Sequence, residues 1–299
     1  MAKIYNLSIF LSFAGLWITS IFSGEFEVIL GFILIFSFGI LHGSNDILLM
    51  NSISGQNNKY RFLRVLFTYI SIVLIAALIF YILPITALLL FVIFSAFHFG
   101  EQHWEYRGLQ LETPWNLCFY FVYGLLVLQT LFVLNPTDTI EIVHSISGYT
   151  LNTTILTYTF ATALIIFCAF VIYLINHSPH FKSIVIIELV YLLIFAVLFK
   201  ASTLIWGFTI YFIFWHSLPS LYEQIKFIYS DVNKKNTLTY LKKAFPYWFV
   251  SLIGITVVYL LFKDDTLFYA LFFSFLAAIT FPHTIIINKM FSNKKSQPN

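Results

Sequence analysis

Charge is what this sequence has least of. Asp, Glu, Lys and Arg make up 10% of the 299 residues, while 60% are hydrophobic. A soluble domain carries roughly 25% charged residues, so a single water-facing globule is excluded. Cysteine is nearly absent: Cys118 and Cys168 both lie inside apolar runs, where a thiol behaves as a small hydrophobe and no disulfide framework follows. Strict polar–apolar alternation is missing, which argues against a membrane β-barrel. No phosphate-cradling glycine loop, GxSxG elbow, HExxH or CxxC occurs, nor the HxxxH and HxxHH boxes of membrane desaturases and hydroxylases. The net charge of +3 is no nucleic-acid footprint, because membrane proteins collect Lys and Arg in cytoplasmic loops.

What remains is apolar runs about twenty residues long, the length of a transmembrane helix. In the bilayer core each backbone group must pair within its own element, which favours helices. The predicted class is all-α: a polytopic transmembrane bundle of about ten helices, over roughly 7–23, 28–50, 64–82, 84–104, 116–134, 155–176, 184–199, 203–229, 246–262 and 267–289. The first run follows Lys3 and resembles a secretory leader, but lacks a small-residue cleavage site and is read as a retained helix. Residues 135–154 leave room for a short interfacial helix. Residues 1–290 are expected to form one membrane domain, with 291–299 a disordered cytoplasmic tail. With ten spans and a cytoplasmic N-terminus, all sixteen basic residues except Lys200 and Lys263 fall on the cytoplasmic side, which predicts both termini there. The expected location is the inner (plasma) membrane, crossed many times.

Ionisable groups at membrane depth are costly and mark cavities or sites. Four histidines qualify: His42 in FGILHGSND, His98 in FSAFHFGEQHW, His216 in FIFWHSLPS and His283 in AITFPHTII. All lie on even-numbered spans, which cross the bilayer in the same direction, each on the order of 8–20 Å from the cytoplasmic end at 1.5 Å per residue. One layer of four imidazoles is therefore attainable. Neutral imidazole is a good ligand for iron, copper or zinc. Asp46 and Glu101 follow His42 and His98 by one turn and are expected to orient those rings by accepting their second N–H. The competing reading of any single histidine is a ring bonded to a neighbouring carbonyl. His103 falls on another face of its helix, and His144, His177 and His180 sit in predicted connectors. Pro219 and Pro282 stand beside His216 and His283, where a lost backbone donor kinks a helix.

The set His42-Gly43-x-x-Asp46, His98-Phe99-Gly100, Trp215-His216-Ser217 and Pro282-His283 resembles the Brp/Blh family of bacterial and archaeal membrane beta-carotene 15,15'-dioxygenases. The resemblance covers essentially the whole chain in length, span count and motif order. It implies a non-haem Fe(II) enzyme that splits the central double bond of beta-carotene with O2 into two all-trans-retinal molecules, which would supply a rhodopsin. It also implies that His42, His98 and His216 are iron ligands. The family pattern has a further histidine where this chain has Ser220. The fourth position then falls to His283 or His103, or three histidines suffice. A bilayer-dissolved carotenoid would enter sideways between helices, with Phe94, Phe97, Phe99, Tyr211, Phe212 and Phe214 as expected walls. Beside this reading stand a membrane iron oxygenase acting on another isoprenoid or lipid, a transporter of hydrophobic molecules with a histidine gate, and a bis-histidine haem protein.

Overall fold

A computed structural model describes residues 2–54, 59–109, 114–261 and 265–296. Among them the chain is helical throughout, with no strand. In order come α1 (Ala2–Ile21), α2 (Gly24–Leu34), α3 (Asp46–Ser54), α4 (Lys59–Ile82), α5 (Pro84–Arg107), α6 (Trp115–Leu134), α7 (Pro136–Ser147), α8 (Thr153–His177), α9 (Pro179–Lys200), α10 (Leu204–Ile210), α11 (Leu218–Tyr229), α12 (Lys234–Leu261) and α13 (Asp265–Ser296). Wider π-helical turns follow α2 (Ile35–Gly39) and α10 (Tyr211–Ser217).

Among the described residues the expected spans fall on these helices or on consecutive ones, with 22–23 past the end of α1 and residue 262 outside the described residues. Seven stretches among the described residues are long and apolar enough to cross a membrane: Ile4–Ile21, Pro84–Arg107, Trp115–Leu134, Thr153–His177, Pro179–Lys200, Leu204–Tyr229 and Phe272–Lys294. The span expected at 28–50 is not one rod; a turn at 42–45 separates it from α3. The short helix foreseen in 135–154 is α7, closed by Gly148 at φ 70°, a left-handed cap that favours glycine. Of the expected tail, residues 291–296 continue α13, and 297–299 lie outside the described residues.

Side-chain caps define several helix starts. Asn152 accepts from Thr154 N, Ser178 from Phe181 N and Thr203 from Trp206 N. Pro179 sits in the first turn of α9, where its missing N–H costs nothing.

The chain divides into two compact units. The first comprises residues 1–33, 92–144 and 148–216. In it α5 and α6 cross with backbones touching. A Cβ on Gly100 would lie 1.8 Å from the Tyr120 carbonyl oxygen, and one on Gly124 would lie 1.8 Å from that of Ala96. Only glycine permits this approach. The start of α10 meets two carboxylates: Thr203 N donates to Glu27 (3.0 Å) and Leu204 N to Asp138 (3.1 Å). Acidic groups there complement the helix dipole.

The second unit comprises residues 34–91, 145–147 and 217–299. Its core joins Leu49 of α3 to Ile286, Ile287, Met290 and Phe291 of α13, with Tyr69 of α4 and Phe227 of α11 packed against them.

Candidate metal centre

Each unit carries a ring-to-ring pair of buried histidines beside an irregular piece of helix, and the first holds a third, His103. In the second unit, His42 occupies the turn after the π-helical stretch Ile35–Gly39, and its Nδ1 bonds the Gly39 carbonyl. His283, one residue past Pro282 in α13, donates from Nδ1 to Asp46 Oδ1 at 2.7 Å, and the two rings lie edge to face at 4.8 Å. Both Nδ1 atoms meet oxygen acceptors, so the proton sits on Nδ1 and the lone pair on Nε2, the tautomer that ligates a metal. Asp46, expected to serve His42, thus serves His283. The helix-face argument presumed an unbroken helix, and the turn at 42–45 redirects the carboxylate.

His42 is also held through its backbone. Gln224 Nε2 donates to the His42 carbonyl (3.1 Å) and to Ser220 Oγ (3.0 Å), while Tyr240 donates to Gln224 Oε1 (2.6 Å). Asn45 Nδ2 bonds the Tyr240 carbonyl at 3.0 Å. Ser220, at the position where the resemblance has a histidine, is therefore part of a hydrogen-bonded strut. Its hydroxyl satisfies a buried amide that would otherwise cost on the order of 1–3 kcal/mol.

In the first unit, His98 of α5 and His216 of the second π-helical turn lie edge to face with ring centroids 4.7 Å apart. Gln102, one turn beyond His98, donates to the His216 carbonyl at 2.7 Å. Phe99 contacts His216 at 4.7 Å and Tyr211 at 5.5 Å, and Phe212 stacks on His216 at 5.5 Å. Phe208, which the sequence reading passed over, stacks on Phe212 at 5.3 Å and extends the wall by a further turn. Of the other expected wall residues, Phe97 and Phe214 are half-buried and Phe94 is exposed. Glu101 is buried on the same helix as His98.

His103 belongs to a different constellation in the first unit. It bonds Glu188 of α9 at 2.6 Å and stacks on Tyr123 at 4.8 Å. Glu188 also pairs with Arg107, whose guanidinium lies 4.4 Å above the Tyr5 ring. Glu188 sits alone in an apolar run, and nothing in its surroundings signals a partner eighty-five residues away. Gln102, Gln224 and Tyr240 were missed for the same reason.

All four candidate histidines are buried. The donor set is neutral imidazole with carbonyl and carboxylate groups fixing the rings, which suits a divalent transition metal such as iron, copper or zinc. Within the second unit, His42 and His283 form a buried pair with Nε2 available to such an ion.

These features define a helical membrane protein with a histidine set fit for a metal. Residues 33–291 match the profile of the family described as beta-carotene 15,15'-dioxygenase, and the chain belongs to that family. No curated protein and no solved structure matches it.

Proposed function

We propose that this protein is a non-haem iron dioxygenase that cleaves beta-carotene at its central 15,15' double bond, with both atoms of O2 ending in the aldehydes of two all-trans-retinal molecules. The observation that carries this reading is the family match across residues 33–291, a stretch that contains His42, His98, His216 and His283. We assign His42, His98, His216 and His283 as the ligands of one Fe(II), with His103 set apart by its bond to Glu188.

The residues divide the work. Asp46 and the Gly39 carbonyl hold the proton on Nδ1 of His283 and His42, presenting Nε2 to the metal. Gln102 and Gln224 fix the backbones of His216 and His42. Phe99, Tyr211 and Phe212 give the polyene a flat, dry wall beside His98 and His216, and Phe94, Phe97 and Phe214 complete its binding surface toward the lipid. Iron, when bound, would supply the activation of O2 that protein side chains cannot supply alone. Both carotenoid and retinal dissolve in the bilayer, so substrate arrives and product leaves through lipid. A rhodopsin in the same plasma membrane is the fitting acceptor.

The test is expression in bacteria that accumulate beta-carotene, beside His42→Ala and His98→Ala variants, with chromatography of the extracted pigments. Bleached cells containing retinal for the parent alone would support the assignment. Persistent carotene despite membrane expression and supplied iron would overturn it. That outcome would favour the same iron chemistry on another isoprenoid, the reading to which Ser220 in place of a histidine points.

A further inference from the structure

The family profile begins at residue 33, so α1 lies outside the matched stretch. By composition α1 is a plain apolar span: Leu7, Phe10, Phe13 and Trp17 are exposed toward lipid. Its other face is different. Tyr5, Ser8, Ser12 and Gly15 recur at helical spacing and are buried. Three hydrogen bonds join this face to the segment leading into His216. Ser8 Oγ donates to the Phe214 carbonyl at 2.5 Å. Trp215 Nε1 donates to Ser12 Oγ at 2.9 Å, and Trp206 Nε1 to the Gly15 carbonyl at 3.3 Å. Gly15 leaves room for Ile210, whose Cδ1 a Cβ there would meet at 2.5 Å.

The π-helical turn needs this help. In an i→i+5 turn the Phe214 carbonyl looks to residue 219 for its N–H, and residue 219 is proline. A carbonyl left without a donor at membrane depth is costly. Ser8 supplies the donor from a neighbouring helix. Ser12 anchors the indole of the residue immediately before His216, and Ser12 Oγ itself donates to the Ser8 carbonyl at 2.8 Å, coupling the two.

We propose that α1 is a brace for the π-helical turn that presents His216, with Ser8 and Ser12 as positioning residues. They hold open the wide turn by replacing the hydrogen bond that Pro219 cannot make, and they fix the rotation of the Trp215–His216 pair. The brace itself is read from contacts alone and rests on the proposed function only in that His216 ligates the metal.

The test uses full-length protein in mild detergent, with Ser8→Ala, Ser12→Ala, the double variant, Trp215→Phe, and Ser20→Ala as an exposed-serine control on the same helix. Hydrogen exchange of the peptide covering 211–221, read by mass spectrometry, should accelerate about fivefold to tenfold for each hydroxyl removed and stay at the parent rate for Ser20→Ala. Ser12→Ala and Trp215→Phe should be non-additive, since each removes the same bond. Cobalt(II) titration gives a second readout: the double variant should bind about tenfold more weakly with an altered ligand-field band. Parent-like exchange in the double variant, or full additivity of Ser12→Ala with Trp215→Phe, would overturn the brace. A parent protein that takes up no cobalt while the exchange pattern holds would count against the metal assignment and leave the brace established.

Discussion

Replacing Gly100 by alanine places a methyl 1.8 Å from the Tyr120 carbonyl oxygen and 2.6 Å from its carbon. Neither atom belongs to a side chain that can rotate away. An ordinary carbon–oxygen contact is about 3.3 Å, so α5 and α6 must part locally by roughly 1.5 Å, and the reciprocal seat of Gly124 on Ala96 opens with them. Overpacking of a close-packed interior typically costs about 1–3 kcal/mol, occasionally more, and a backbone obstacle belongs at the upper end. For a chain of this size about 3 kcal/mol corresponds to a midpoint fall of roughly 6–12 °C. His98 stands two residues away, and a displacement of about 1 Å in a reacting group can cost a hundredfold in rate. The assay is thermal loss of the monodisperse peak in detergent, together with retinal formation in carotene-producing cells. Gly124→Ala should match Gly100→Ala. Gly254→Ala, where an added Cβ meets nothing within 4 Å, should leave both readouts unchanged. A Gly100→Ala protein within a degree of the parent and equally active would refute the close-crossing argument.

Two further outcomes follow from buried polar pairs. Asp46→Asn removes the charge that holds the proton on His283 Nδ1. Metal affinity should fall 10- to 100-fold, measured by competition with a chromophoric chelator, while thermal stability changes little. Glu188→Ala strands His103 and Arg107. The cost should be about 3–5 kcal/mol, seen as a collapse in folded yield on fluorescence-detected size exclusion; a parent-like yield would show that the cluster contributes nothing.

Much of this architecture is legible in the sequence because lipid imposes a simple rule, and apolar runs of span length can only be helices. The four histidines stood out for the same reason, since a ring with two nitrogens is conspicuous among Phe, Leu and Ile. What the sequence hides is the partner of each polar group. Asp46 looked local to His42 until the turn at 42–45 aimed it at His283. Ser8 and Ser12 carry no sequence signal of their own, since serine in an apolar helix bonds either its own backbone or a neighbour's, and here both kinds of bond occur. His103 sits on a different face from His98, as helical spacing required, but Glu188 was invisible as its partner. Such pairings depend on which helices abut, which no local pattern encodes.

The α5–α6 crossing bears on traffic as well as on stability. At Gly100 and Gly124 the two helices meet peptide to peptide, with no side chain that could swing like a door. On the proposed function, a rigid polyene approaching from the lipid would find this seam sealed beside His98.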